Sequence, residues 1–127
     1  MIEIQSPTLL QEVYMLYQVE PNKIPQEIPS TGEIIGYDIE YPEWNDLKCY
    51  KVMKRLFDLS IRLDIDKQEN EYCILCLDDK DRMHPKFVFT EEDKEFDKCL
   101  IKVLITLYDE LMEHEQTQIR NLLNEEL

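Results

Sequence analysis

TEEDKEFDKCLIKVLITLYDEL, residues 90–111, carries the strongest periodic signal in the chain. Phe96, Leu100, Val103, Leu104, Leu107, Tyr108 and Leu111 recur at steps of three and four, so a helix here presents one apolar stripe about four turns long. Thr90 supplies an N-cap, and Glu91, Glu92 and Asp93 fill the first turn, with Asp93 completing a capping-box variant. Acids at that end also suit the positive end of the helix dipole. The expectation is a helix opening at Thr90 that forms the wall on which the core packs.

The segment before this helix reads as strands. Leu63 and Ile65 alternate with Asp64 and Asp66. Lys67-Gln68-Glu69-Asn70 makes a hairpin-like turn. Tyr72 to Leu77 is apolar on both faces and should therefore be covered on both sides. Asp78-Asp79-Lys80-Asp81 is a turn, and His84-Pro85 leads into Lys86–Phe89, where Phe87 and Phe89 share a face. Asn45 or Asp46 caps an earlier helix running to about Ile61. Its apolar arc holds Cys49, Tyr50, Val52, Met53, Leu56, Phe57 and Ser60; a basic stripe of Lys48, Lys51, Lys54, Arg55 and Arg62, with Asp58, lies opposite. That stripe is either a solvated face or a dock for the acidic N-terminal segment.

At the start of the chain, Ser6 and Pro7 open a short helix in which Leu9, Leu10, Val13, Leu16 and Tyr17 keep helical spacing. Pro21, Pro25, Pro29 and Gly32 mark the next stretch as an exposed loop. Ile35, Tyr37, Ile39 and Tyr41 then alternate with Gly36, Asp38 and Glu40, as an edge strand or an extended arm would. The expected layout is one domain over residues 1–127, with an acidic, Pro-spaced loop at about 20–40 and a C-terminal tail at 114–127. The tail is a helix extension or a second short helix that frays. The fold class is α+β, with helices packed on a small antiparallel sheet of two to four strands in an α/β/α sandwich-like arrangement.

The formal charge is −14, and it is unevenly spread. Residues 1–47 hold nine acids against one base, Lys23; residues 48–127 hold nineteen against thirteen. Such a surface repels phosphate backbones and anionic lipid and attracts basic partners. The expected partner is a host protein with a basic surface, with no tight binding of free nucleic acid and no membrane. No apolar run approaches the ~20 residues of a membrane span. Met1-Ile2-Glu3-Ile4 lacks the basic and apolar regions of a signal peptide, so the expected location is the cytoplasm. Cys49, Cys73, Cys76 and Cys99 are then expected as reduced, structural thiols. Cys73 and Cys76 have metal or redox spacing, but residues three apart on a strand point to opposite faces.

Catalytic patterns are missing. The two glycines, Gly32 and Gly36, cannot build a phosphate cradle. His84 and His114 form no zinc-binding pair, and Asp78, Asp79 and Asp81 lack the glycine and downstream Glu of an EF-hand loop. Asp64, Asp66 and Lys67 are weak evidence for a metal nuclease. Ser6 is explained as a cap and Ser60 as a small core residue. The reading is a protein without a catalytic site, metal or cofactor. Its candidate partner-binding residues are Glu33, Tyr37, Asp38, Glu40, Tyr41, Glu43 and Trp44, where aromatics lie among acids. Lys48, Lys51, Arg55 and Arg62 are a second candidate face.

Tyr41, Trp44, Asn45 and Leu47 form an aromatic entry into the Val52, Met53 and Leu56 helix. The Tyr72–Leu77 strand and the Phe96–Leu111 helix follow, and the Leu9–Tyr17 helix leads. In these features the stretch from Tyr41 to Leu111 resembles small phage proteins of the phage ABA-sandwich type. The resemblance implies an α/β/α layout and brings no catalytic residues. It also implies that the chain binds host machinery, since small acidic phage proteins commonly inhibit it, nucleic-acid-guided nucleases above all. The leading expectation is therefore a phage-encoded inhibitor of a CRISPR-type nuclease. A bacterial immunity protein or antitoxin capping a basic toxin, or a phage structural or assembly protein, is the alternative. A homodimer is possible in either case.

Overall fold

The computed structural model describes residues 8–126. The first helix, α1, spans Leu9–Leu16 and is capped by Thr8. The Gln11 N–H donates to the Thr8 hydroxyl at 3.2 Å, and the Thr8 N–H donates to the Gln11 side chain at 3.0 Å. This is a capping box. The expected cap, Ser6, and Pro7 lie outside the described residues. Next come two strands, β1 (Asn22–Glu27) and β2 (Ile34–Glu40), paired antiparallel. The stretch expected as a loop at about 20–40 is therefore a hairpin. A proline can occupy a strand whose edge is free, and both strands here are edges.

The helix α2, Asp46–Asp58, is capped by Asn45, which accepts from the Lys48 N–H at 2.9 Å. It ends three residues before the expected Ile61. Ser60 takes a left-handed backbone (φ 60°) that turns the chain into β3 (Ile61–Gln68), so Ser60 is an exposed turn residue and not a core one. β3, β4 (Glu71–Asp78) and β5 (Val88–Asp93) form an antiparallel sheet in that order. The helices α3 (Phe96–Leu107) and α4 (Glu113–Leu123) follow, joined by a 3-10 turn at Tyr108–Glu110. The chain is thus α+β, with four helices and two small antiparallel sheets.

The three-stranded sheet has one covered face. Ile61, Ile74 and Cys76 are buried there, with Leu63 and Phe89 beside them, and α2 packs on β3 while α3 packs on β4 and β5. On the other face Cys73, Leu75 and Leu77 are only half-buried. Their cross-strand neighbours are Arg62, Asp64 and Asp66 on one side and Val88, Thr90 and Glu92 on the other. Within the single chain the helices therefore cover β4 on one side and not on both, since an antiparallel sheet can leave one face to water. α1 lies against α3, and α4 against α2. The Tyr17 hydroxyl donates to the Leu104 carbonyl at 2.7 Å, and Arg120 donates to the Tyr17 carbonyl at 2.7 Å, which ties α1 to both later helices.

Thr90 does not open a helix. It pairs with Leu75 inside β5, and α3 starts at Phe96, with Glu95 at the cap making no side-chain capping bond. The acids that resembled a helix start alternate along the strand. Glu91 accepts from the Thr106 hydroxyl at 2.6 Å and Asp93 pairs with Lys102 at 2.8 Å, both donors on α3. Pairing and these two partners override the local helix-start signal. The tail is the second short helix of the two expected forms, α4, and it is packed rather than frayed, with Ile119, Leu122 and Leu123 buried.

Candidate interaction surface

The β1–β2 hairpin is exposed along its length, apart from the half-buried Gly36. Register assigns its side chains to two faces. Pro25 opposes Tyr37, Lys23 opposes Ile39, and Glu27 opposes Ile34 across a bulge. Pro25, Ile35, Tyr37 and Ile39 thus share a face with Lys23 and Glu27, and on it Ile35 is 66% exposed, Tyr37 58% and Ile39 63%. The opposite face carries Asn22, Ile24 and Gln26 with Gly36, Asp38 and Glu40. The Gln26 amide donates to the Asp38 carboxylate at 2.6 Å, leaving that acid in place on an open face. Two strands alone are marginally stable, and exposed apolar side chains clustered on one face mark an interaction surface.

The seven candidate residues separate. Glu33, Tyr37, Asp38, Glu40 and Glu43 are exposed. Tyr41 and Trp44 are half-buried against the core. The Tyr41 ring stacks on Tyr14 at 5.3 Å and 20° between planes, so it fastens the hairpin to the body. Trp44 is packed as well, and its indole N–H is shielded with no partner among the described residues. These two rings are a seam and not free anchors. Ile35 and Ile39 belong with Tyr37 in their place. The signal for them was the alternation through Tyr41, which put all four on one side.

No family model, characterised protein or solved structure matches the chain.

The second candidate face does not assemble. Lys48 is fully buried. Its ammonium donates to the Leu123 carbonyl at 2.8 Å and to the Tyr14 hydroxyl at 3.3 Å, and lies 5.4 Å from the Tyr14 ring centre. It thus caps the negative end of α4. Desolvation pulls its pKa down, although Glu125 and Glu126 act in the other direction. Lys51 pairs with Glu125 at 3.3 Å and Arg55 donates to Gln118 at 3.0 Å, both toward α4. Arg62 sits in β3 beside Asp64 at 3.1 Å. Lys48, Lys51 and Arg55 thus hold the C-terminal helix, and Lys48 also reaches Tyr14 of α1, while Arg62 stands apart. The buried arc of α2 is rotated toward Lys48, which leaves Tyr50 and Phe57 exposed, Phe57 by 78%.

Two buried acids are structural. Asp78 accepts from the N–H groups of Lys80 and Lys86, both at 3.1 Å, and closes the 79–86 loop. Glu115 accepts from the Met112 N–H at 3.0 Å and pairs with Lys80 at 2.9 Å. Burial alone raises the Glu115 pKa, but those two donors outweigh it and hold the carboxyl below its ordinary range. Among the thiols, burial pushes Cys76 up to about 12 and Cys49 up to about 11, so both stay protonated and unreactive near neutral pH. Cys73 is half-buried on the open side of β4 and Cys76 buried on the covered one. Among the described residues no three His, Cys, Asp or Glu side chains gather as a metal site requires, and no helix is long and apolar enough to cross a membrane.

Proposed function

We propose that this protein is an inhibitor that acts by binding, through the β1–β2 hairpin, a host protein with a basic surface. The target class is a nucleic-acid-guided, CRISPR-type nuclease in the cytoplasm. One observation supports this reading above the rest: a hairpin outside the core bears an exposed apolar face, Ile35, Tyr37 and Ile39, backed by Asp38 and Glu40. Apolar side chains supply contact area, and the acids supply attraction and selectivity. The net charge of −14 extends that attraction, because it speeds approach to a basic groove. The resemblance to small phage domains is what points to defence nucleases. The test is inhibition of a guided nuclease by the parent and by an Ile35→Ser/Tyr37→Ser/Ile39→Ser variant. The variant should melt like the parent and lose inhibition. Full inhibition by the variant would overturn the reading.

A further inference from the structure

The two edges of the hairpin are not equivalent. Proline within a ladder turns its nitrogen away from the partner strand, because it has no N–H to give. Pro25, opposite Tyr37, therefore leaves the outer edge of β1 without a donor at its middle. The same geometry makes Pro25–Tyr37 a non-hydrogen-bonded pair, so the N–H and C=O of Tyr37 also point outward, away from β1. Alternation extends this to Ile39. Among the described residues no group hydrogen-bonds to those outward atoms, and β2 pairs with β1 alone. Among the described residues the β2 edge is open, whereas the β1 edge is interrupted.

We propose that the outer edge of β2 takes up an extended segment of the partner as a third strand, and that this segment alternates basic with apolar residues. The proposal rests on the hairpin being the binding element. A strand added there lays its side chains alternately on the two hairpin faces. One set meets Tyr37 and Ile39; the other meets Asp38 and Glu40. Opposite charges directly across a strand pair are favourable and like charges unfavourable, so the acids admit lysine or arginine and reject acidic strands. A second copy of this chain fits worse. It would set Asp38 and Glu40 of both copies on one face, between two molecules of net charge −14.

The probe is a synthetic peptide of alternating lysine and valine, with a peptide of the same composition in two blocks as control. The alternating peptide should bind about tenfold more tightly than the block peptide and shift the amide resonances of residues 34–40. Methylating its backbone nitrogens leaves every side chain in place and should abolish binding. Ile39→Pro, which removes an outward N–H as Pro25 does on the other strand, should also abolish it, whereas Ile39→Ala should only weaken it. Equal binding of both peptides, or full binding of the methylated one, would overturn strand addition. A dimer of the protein alone that Ile39→Pro dissolves would overturn it in favour of a second copy. If the triple serine variant loses nuclease inhibition while Ile39→Pro keeps it, edge pairing fails and the hairpin reading stands. If both inhibit like the parent, the hairpin reading itself fails.

Discussion

Leu104 and Tyr37 mark the two extremes of this molecule. Leu104 is fully buried on α3, in a cluster to which all four helices and the larger sheet contribute. Tyr37 is 58% exposed on a two-stranded arm that no other layer covers among the described residues. The body gains its stability from apolar area removed from water, at roughly 25 cal/mol per Å². The hairpin keeps comparable side chains in water and gains little from them. The residues that hold the fold and the residues exposed on the arm are therefore different ones, and substitutions in the two regions should fail in different ways.

Leu104→Asp should have the largest effect. It puts an unpaired charge into the core and should unfold the domain, as read by loss of a cooperative melt. Retention of the parent melting temperature would mean that the stripe is not core. Lys48 comes next. Lys48→Ala strips the donor from the Leu123 carbonyl and the Tyr14 hydroxyl, and should cost about 2–3 kcal/mol in denaturant unfolding. Lys48→Met keeps the stem's packing and removes a buried charge, so it should cost less. An exposed lysine would give a change within ~0.5 kcal/mol for either variant.

The next effect appears only in acid. The folded-state pKa of Glu115 is lowered, so its contribution is present above the unfolded value and is lost as pH falls from about 4.5 through the lower folded value. Asp93 acts in the same sense, held low by the Glu95 N–H and by Lys102. Glu115→Gln should therefore lower the melting temperature near neutral pH and flatten its fall below about pH 4. A parallel fall in parent and variant would remove Glu115 from the acid response. The smallest stability effect belongs to the arm. Neutralising Glu33, Asp38, Glu40 and Glu43 together should leave the melt within ~0.5 kcal/mol. It should also slow association with a basic partner, most at low salt. Unchanged association at low salt would remove these acids from the binding face.

The body was legible from sequence where burial follows one helix's own periodicity. The stripe from Phe96 to Leu107 needed nothing else. What failed depended on a second element. Thr90-Glu91-Glu92-Asp93 reads as a helix start until Thr106 and Lys102 are placed opposite its acids. Lys48 falls on the polar arc of α2 until the end of α4 lies against it. On the candidate site, alternation announced the Ile35–Tyr37–Ile39 face. Tyr41 continues the same alternation and yet lands on Tyr14, because the chain re-enters the body there. No local pattern marks the residue at which an arm meets its base.

The Tyr14–Tyr41 stack also bears on how such a protein evolves. Selection on folding acts strongly on the residues below that seam, since a lost core contact brings the chain close to its stability threshold. Above the seam, a changed side chain leaves the fold in place, and under the proposed function it changes what is recognised. Lineages under pressure from a changing target can thus rewrite the arm at low risk, and sequence divergence should concentrate between Asn22 and Glu40 while Tyr14 and Tyr41 persist.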